Sequence, residues 1–553
     1  MKESRDSVTR EGRARVVLMT LLVLWLCAPI VAQRSKPQRD TGTSNRQDAG
    51  LTPSARESLN HAVAALETNS LADAERAARA AVAAAPKSAT THNVLGVVLD
   101  RLGRFTDAFT EFNIAVKLDP RFVSARNNLG RMLAERGRTN EAIAQFESVL
   151  ATDPKHVQAH YNLGALYADA GDFVRSAENF AQARLSAPED PQLALAFINV
   201  AYRANRSREA DAAAAIIERV AAGDPRTLFT LGTALAQNEK YEQAARVFAR
   251  VNEKTPHTFE VLYNLGVALY NLNRNEEAAR ALAEAADLNP APAETHFRLG
   301  LIASERNDHL NAVEEFKHAI ERDSKKSPYH YMLGREYFRV GYWEGAISEQ
   351  TRAMELEPKQ AAYVLARANA NYRKGEWMAS AMDFDLAATI DPKIENIEYL
   401  QGYAHRAAGN FDRARELLEK FLASHPDHVD ALASLGYVFI EQGRLEEAER
   451  PLKRALELQS DNVPVLYDFA RLALKRRDYA EAATRLRRVL EKNPTHTQAH
   501  YQLFLAYSRL KQPDKAQSEL EEFKRLEALE KQVKQERILD EKLRTQQMLG
   551  RGQ

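Results

Sequence analysis

Residues 157–190 read VQAHYNLGALYADAGDFVRSAENFAQARLSAPED. Within this stretch Leu163-Gly164, Tyr167, Gly171-Asp172-Phe173, Ser176, Phe180, Ala183 and Pro188 occupy positions that return every 34 residues along the chain. One set of glycines carries the register: Gly96, Gly130, Gly164, Gly232, Gly266, Gly300, Gly334, Gly402 and Gly436. Every gap between them is 34 or 68 residues, and Leu precedes all but Gly402. The phase extends to fourteen repeats beginning at residues 55, 89, 123, 157, 191, 225, 259, 293, 327, 361, 395, 429, 463 and 497, with no insertion from Ala55 to Glu530. Self-similarity at this period marks a repeat array, so the length of the chain does not imply three or four globular domains.

Each fixed position has a physical reason. Twelve residues after the glycine site every repeat carries Ala or Ser, as at Ala108, Ala142, Ser176 and Ala244. A glycine inside a helix costs about 1 kcal/mol relative to Ala. A recurrent glycine therefore needs a compensating gain, and close approach of two helix backbones supplies one. Seven residues after the glycine site stand Gly103, Gly137, Gly171, Gly341, Gly375, Gly409 and Gly443, or Asn69, Asn205, Asn273 and Asn307. These residue types accept the left-handed conformation that ends a helix. Asp119-Pro120, Asp153-Pro154, Asn289-Pro290, Asp391-Pro392 and Asn493-Pro494 then stop a second helix. Between the stops, Leu129 and Leu133, then Ile143, Phe146 and Val149, fall at helical spacing. The pattern predicts an all-α chain of helix, tight turn, helix and turn.

This pattern resembles the tetratricopeptide repeat family over about 476 of the 553 residues. The resemblance implies a solenoid of helical hairpins wound into a right-handed superhelix, with the first helix of each repeat lining a concave surface. Departures are local: Ile198 at a glycine site and an alanine run from Ala212 to Ala215 in the same repeat, Ala368 and Ala470 at two other glycine sites, His61 at a Leu position and Phe504 in the last repeat. The last helix is predicted to continue through Arg525 to Met548, with Leu526, Leu529, Val533, Ile538 and Leu543 among charged residues. A C-terminal capping helix is the simpler reading, and partner binding or short coiled-coil pairing the other.

The chain divides into residues 1–32, a signal peptide or membrane anchor; 33–54, a disordered linker; 55–530, the repeats; and 531–553, the extended helix and tail. Lys2, Arg5, Arg10, Arg13 and Arg15 precede an uncharged stretch from Val16 to Gln33. A basic start, an apolar core and the small Ala32 form a secretory pattern, so export with cleavage near Ala32 is expected. Retention of residues 16–30 as an anchor is the competing reading, since the stretch is borderline for spanning a bilayer. A lipoprotein signal at Cys27 is weaker because Leu26 precedes it. Cleavage would leave a periplasmic or extracellular protein, retention a membrane-anchored one.

The 76 basic and 76 acidic residues cancel, which argues against a nucleic-acid binder working through overall positive charge. Cys27 is the single cysteine, so neither an intrachain disulfide nor a thiolate metal cluster can form. The fourteen histidines show no HExxH or paired spacing and are expected at surfaces or interfaces. No phosphate loop or nucleophile elbow occurs, and the repeats leave no room for a separate catalytic domain. No enzyme activity, cofactor or metal is expected.

The resemblance places a candidate peptide-binding groove on the first helices. Rings at the fifth position include Tyr161, Tyr263, Phe297, Tyr331, Tyr399 and Tyr467, and the twelfth position adds Phe338 and Tyr372. They serve either stacking between repeats or a wall for partner side chains. Asn128, Asn162 and Asn264 match the inward asparagines with which the family holds a peptide backbone, but Val94, Arg298, Met332 and Leu400 interrupt that ladder. Arg335, Arg339, Arg373, Arg406 and Arg471 lie on the predicted inner face, while Glu260, Glu294 and Glu305 lie on it earlier. Either these charges form a solvated surface, or the arginines grip an acidic segment through bidentate contacts. The expected function is a non-enzymatic scaffold for partner proteins or peptides, with no nucleic acid and membrane contact only through the N-terminal segment. The alternatives are a membrane-tethered assembly factor or chaperone-like client holder and, more remotely, a substrate-selecting subunit of a separate enzyme.

Overall fold

A computed structural model describes residues 51–288 and 292–550, with side chains described to residue 536. The signal or anchor segment, residues 33–50 of the linker, the Asn289-Pro290 turn, the side chains of Ile538 and Leu543, and the final three residues lie outside the described residues. Helices and turns account for the described chain, with no strand among the described residues. No described helix is long and apolar enough to cross a membrane.

The chain forms two compact bodies, divided between Arg274 and Asn275. In the first, hairpins such as Ala89–Arg101 with Phe105–Leu118 and Val157–Asp169 with Phe173–Ser186 follow one another up to Phe259–Asn271. The second runs from Asn275–Leu288 through hairpins such as Ala293–Glu305 with His309–Arg322 and Ser327–Arg339 with Trp343–Leu356, ending in Pro513–Gly550. Within each body every helix packs on the helices before and after it in sequence, and several first helices also pack on the first helix of the next hairpin, as Ser327–Arg339 does on Ala361–Lys374 and Val429–Glu441 on Val463–Lys475.

The glycine site is tight for a reason only partly anticipated. Backbones do approach there, as Ser176 Oγ donates to the Gly164 carbonyl at 2.6 Å and Ser380 Oγ to the Ala368 carbonyl at 2.8 Å. Yet the group that excludes a side chain is usually a ring sixteen residues on. A Cβ on Gly96 would lie 2.7 Å from Phe112, on Gly164 2.9 Å from Phe180, and on Gly300 2.6 Å from Phe316. The residue at the glycine site and the one sixteen later therefore share a single volume. Where Ile198 replaces the glycine, the later position is Ala214, and both are buried. Large and small have exchanged places, which accounts for Ala214 within the alanine run.

The hairpin turn is uniform. Seven residues after the glycine site φ is positive in every repeat: in the seven glycines, in Asn69, Asn205, Asn273 and Asn307, and also in Glu239 (60°), Arg477 (64°) and Lys511 (56°). In the Gly103 turn the amide of Gly103 donates to the Asp100 carbonyl at 3.1 Å and that of Arg104 to the Leu99 carbonyl at 2.9 Å. The Lys511 turn keeps the equivalent bonds, to Ser508 at 3.3 Å and from Gln512 to Tyr507 at 3.0 Å. Packing of the two helices imposes the geometry on residues that do not favour it.

The histidines are less scattered than the sequence implies. Five occupy the fourth position of a first helix, and each joins its helix to the second one nineteen residues on. Nδ1 meets Glu111 at 2.6 Å from His92, Asn179 at 3.0 Å from His160, Glu315 at 2.8 Å from His296, Glu349 at 2.7 Å from His330 and Glu519 at 2.6 Å from His500. In four of them Nε2 also meets the carbonyl six residues before, at Pro86, Pro154, Ser324 and Pro494. These are buried cross-braces within the array rather than surface groups.

The final helix packs through Leu526, which is 3% exposed, and through Glu530, whose carboxylate accepts from Thr497 Oγ1 at 2.5 Å. Leu529 and Val533 are exposed. The root of the helix thus closes the last hairpin, and its apolar residues emerge beyond it.

A ladder of arginines and rings

In the first body the candidate residues are largely engaged with their own chain. Asn128 is 1% exposed, and its Nδ2 donates to Asn93 Oδ1 at 3.1 Å. Asn162 accepts from Gln158 at 3.1 Å, and Asn264 donates to its own helix at the Glu260 carbonyl, 2.7 Å away. Tyr161 lies edge-on to Phe180 at 5.5 Å, and Tyr263 stacks on Phe259 at 5.8 Å.

The fifth-position rings of the second body also pack within the protein. Phe297, 2% exposed, contacts Phe316 and Tyr329. Tyr331 meets Tyr363 at 4.9 Å, Tyr399 meets Phe421 at 5.5 Å and His428 at 4.8 Å, and Tyr467 meets His496 at 4.7 Å. Burial pushes the Tyr399 hydroxyl up to about 12. Of the two roles the sequence left open for these rings, stacking is the one their contacts display.

Rings at other register positions, together with Tyr331, carry the arginines. Phe338 lies 5.2 Å from Trp343, and the Arg373 guanidinium stands over Trp343 at 5.3 Å. Tyr372, beside Arg373, meets Tyr403 at 5.3 Å. Arg406 covers Tyr403 at 4.7 Å and Tyr437 at 5.1 Å, and Arg471 covers Tyr437 at 4.7 Å. Arg335 stands over Tyr331 at 5.6 Å. Trp343, Tyr403 and Tyr437 were not among the candidates. Their signal lay in comparing register positions: the ninth holds Arg335, Tyr403, Tyr437 and Arg471 in different repeats, so cation and ring trade places along one line.

Charge pairing divides these arginines. Arg339 is committed, to Glu336 at 2.8 Å and Ser304 Oγ at 2.7 Å, with Glu336 fully buried. Arg471 is committed as well, to Asp468 at 2.9 Å and to Glu441. Burial lifts the Asp468 carboxyl above its usual range, against the pull of Arg471 and of the more distant Arg406. Arg335, Arg373 and Arg406 have ring faces but no ion pair with a carboxylate among the described residues. The Nε of Arg406 is buried without a hydrogen-bond partner. A guanidinium on an aromatic face keeps its N–H edge for an incoming acceptor while the ring holds its plane. Two of the acids singled out earlier are engaged: Glu294 with Arg298 at 3.0 Å and Tyr329 at 3.1 Å, and Glu305 with Asn275 at 3.0 Å. Burial raises the Glu294 carboxyl, although Arg298 opposes the shift.

Models of tetratricopeptide repeats match residues 59–121, 229–286, 263–327, 399–463 and 473–534, and a model described as TPR repeat matches residues 130–171. No curated protein matches the chain. Among solved structures, the chain is similar to one of Naa15/Naa10 bound to HypK-THB, with 14% identity over 89% of this chain and 97% of that one and a TM-score of 0.33. It is similar to the APC/C hetero-tetramer Cut9-Hcn1, with 14% identity over 84% and 100% and a TM-score of 0.31. It is also similar to MamA from Desulfovibrio magneticus RS-1, with 20% identity over 31% and 98% and a TM-score of 0.30. With the 34-residue register, the small-residue contact between paired helices and the matching family models all in agreement, the chain belongs to the tetratricopeptide repeat family.

Proposed function

We propose that this protein is a non-catalytic scaffold that holds partner proteins by an acidic segment, gripped along the first helices of its second body. One observation carries this reading: Arg335, Arg373 and Arg406 are stacked on rings yet paired with no described carboxylate. Arg339 and Arg471, satisfied by Glu336, Asp468 and Glu441, serve the array itself. The test is fluorescence anisotropy of a labelled Glu-rich peptide with the wild type and with the Arg335→Glu/Arg373→Glu/Arg406→Glu variant, at low and high salt. Binding that weakens with salt and is lost in the variant at unchanged helicity is expected. Undiminished binding would overturn the assignment.

We also propose that the protein acts outside the cytoplasm, on the strength of the basic start, apolar stretch and Ala32 at its N-terminus. N-terminal sequencing of the native protein distinguishes the forms. A start at Gln33 supports release, and an intact start supports a membrane-tethered assembly factor.

A further inference from the structure

The repeat that begins at residue 293 varies the histidine brace. His92, His160, His330 and His500 each place Nδ1 on a side-chain oxygen or amide and Nε2 on a backbone carbonyl. His296 keeps the first bond, to Glu315 Oε2 at 2.8 Å. The residue is 8% exposed, and Pro290, whose carbonyl would stand where the other braces bind Nε2, lies outside the described residues.

A second histidine sets this repeat apart. Three residues after Glu315, on the same face of the second helix, stands His318, whose ring lies edge-on to that of His296 with centroids 5.3 Å apart. The other repeats with this brace have Ile114, Gln182, Arg352 and Glu522 at that position. One ligand atom from each of His296, Glu315 and His318 lies within 4.8 Å of the other two. Two imidazoles and a carboxylate form a donor set suited to a borderline transition metal.

We infer that His296, Glu315 and His318 form a binding site for a divalent transition metal of the Zn2+ class, with water completing a tetrahedral shell. Metal–ligand bonds of about 2.0–2.2 Å put neighbouring ligand atoms about 3.3 Å apart, so the three groups must draw together modestly on binding. Glu315 and His318 are one helical turn apart and His296 comes from the paired helix. The metal would therefore clamp the hairpin through both of its helices.

The experiment uses the full chain after treatment with EDTA and dialysis. Zn2+ is titrated calorimetrically, and Co2+ is followed by its visible absorption, for the wild type, His318→Ala and His296→Gln. Position 318 tolerates other residues in the equivalent repeats, so His318→Ala keeps its helicity. One equivalent bound by the wild type, weakened by about tenfold or more in both variants, with tetrahedral Co2+ bands lost alongside, is expected. Zn2+ should also raise the thermal midpoint of the wild type and not that of His318→Ala. Equal binding by wild type and His318→Ala places the metal on other histidines and overturns the site, as does the absence of binding by the wild type.

Discussion

At Gly300 a Cβ would come within 2.6 Å of the Phe316 ring, closer than real contacts allow. Gly300→Ala gains helix propensity but must displace a fully buried ring, and overpacking of this kind costs about 1–3 kcal/mol. The expected result is a destabilised hairpin at 293–322, seen as faster amide exchange there. A variant as stable as the wild type would show that the ring does not set the glycine requirement. The small residue is legible in the sequence because it recurs; its partner is not, because the pairing joins two helices and its bulky member varies among Phe, Leu and Gln. The turns show the same boundary. Gly and Asn announce eleven of the left-handed positions, whereas Glu239, Arg477 and Lys511 adopt the conformation against their preference. Glu239→Gly, Arg477→Gly and Lys511→Gly should each stabilise their hairpin, by about 0.5–1 kcal/mol given the cost of the left-handed conformation, as read from local exchange or from the urea midpoint.

On the scale of helices, the histidine braces bind first helix to second and, at His92, His160, His330 and His500, also to the preceding turn. For His92, burial works against the charged ring, but Glu111 and the Pro86 carbonyl outweigh it, and its pKa is raised. A raised folded-state value means the charged brace contributes fully below the ordinary histidine value of about 6.5 and is lost as pH climbs through the folded one. The stability difference between wild type and His92→Gln should therefore be largest in mild acid and shrink toward pH 9, measured by thermal unfolding across that range. A difference independent of pH would mean that His92 acts only by packing. A lone histidine in a helix carries no local signal of such a brace. The five became recognisable as a group through their common register position and their bonds nineteen residues ahead.

On the scale of the molecule, hairpins packed neighbour to neighbour present many equivalent surfaces, and what distinguishes one stretch is which charges the array leaves unmatched. Helix order and repeat phase are readable from glycine, alanine and proline because backbone geometry dictates those residues. The arginine stretch was readable only as a concentration of charge. Its division into Arg339 and Arg471, held by buried or half-buried acids, and Arg335, Arg373 and Arg406, held by rings, depends on carboxylates around thirty residues away or one turn along. The most direct measurement compares the affinity of a labelled Glu-rich peptide for the wild type, for Arg335→Ala/Arg373→Ala/Arg406→Ala and for Arg339→Ala/Arg471→Ala. Ring-stacked docking predicts a loss of about tenfold or more in the triple variant, equivalent to at least one charged contact, with the double variant losing stability rather than affinity. Full affinity in the triple variant, or an equal loss in both, would contradict it.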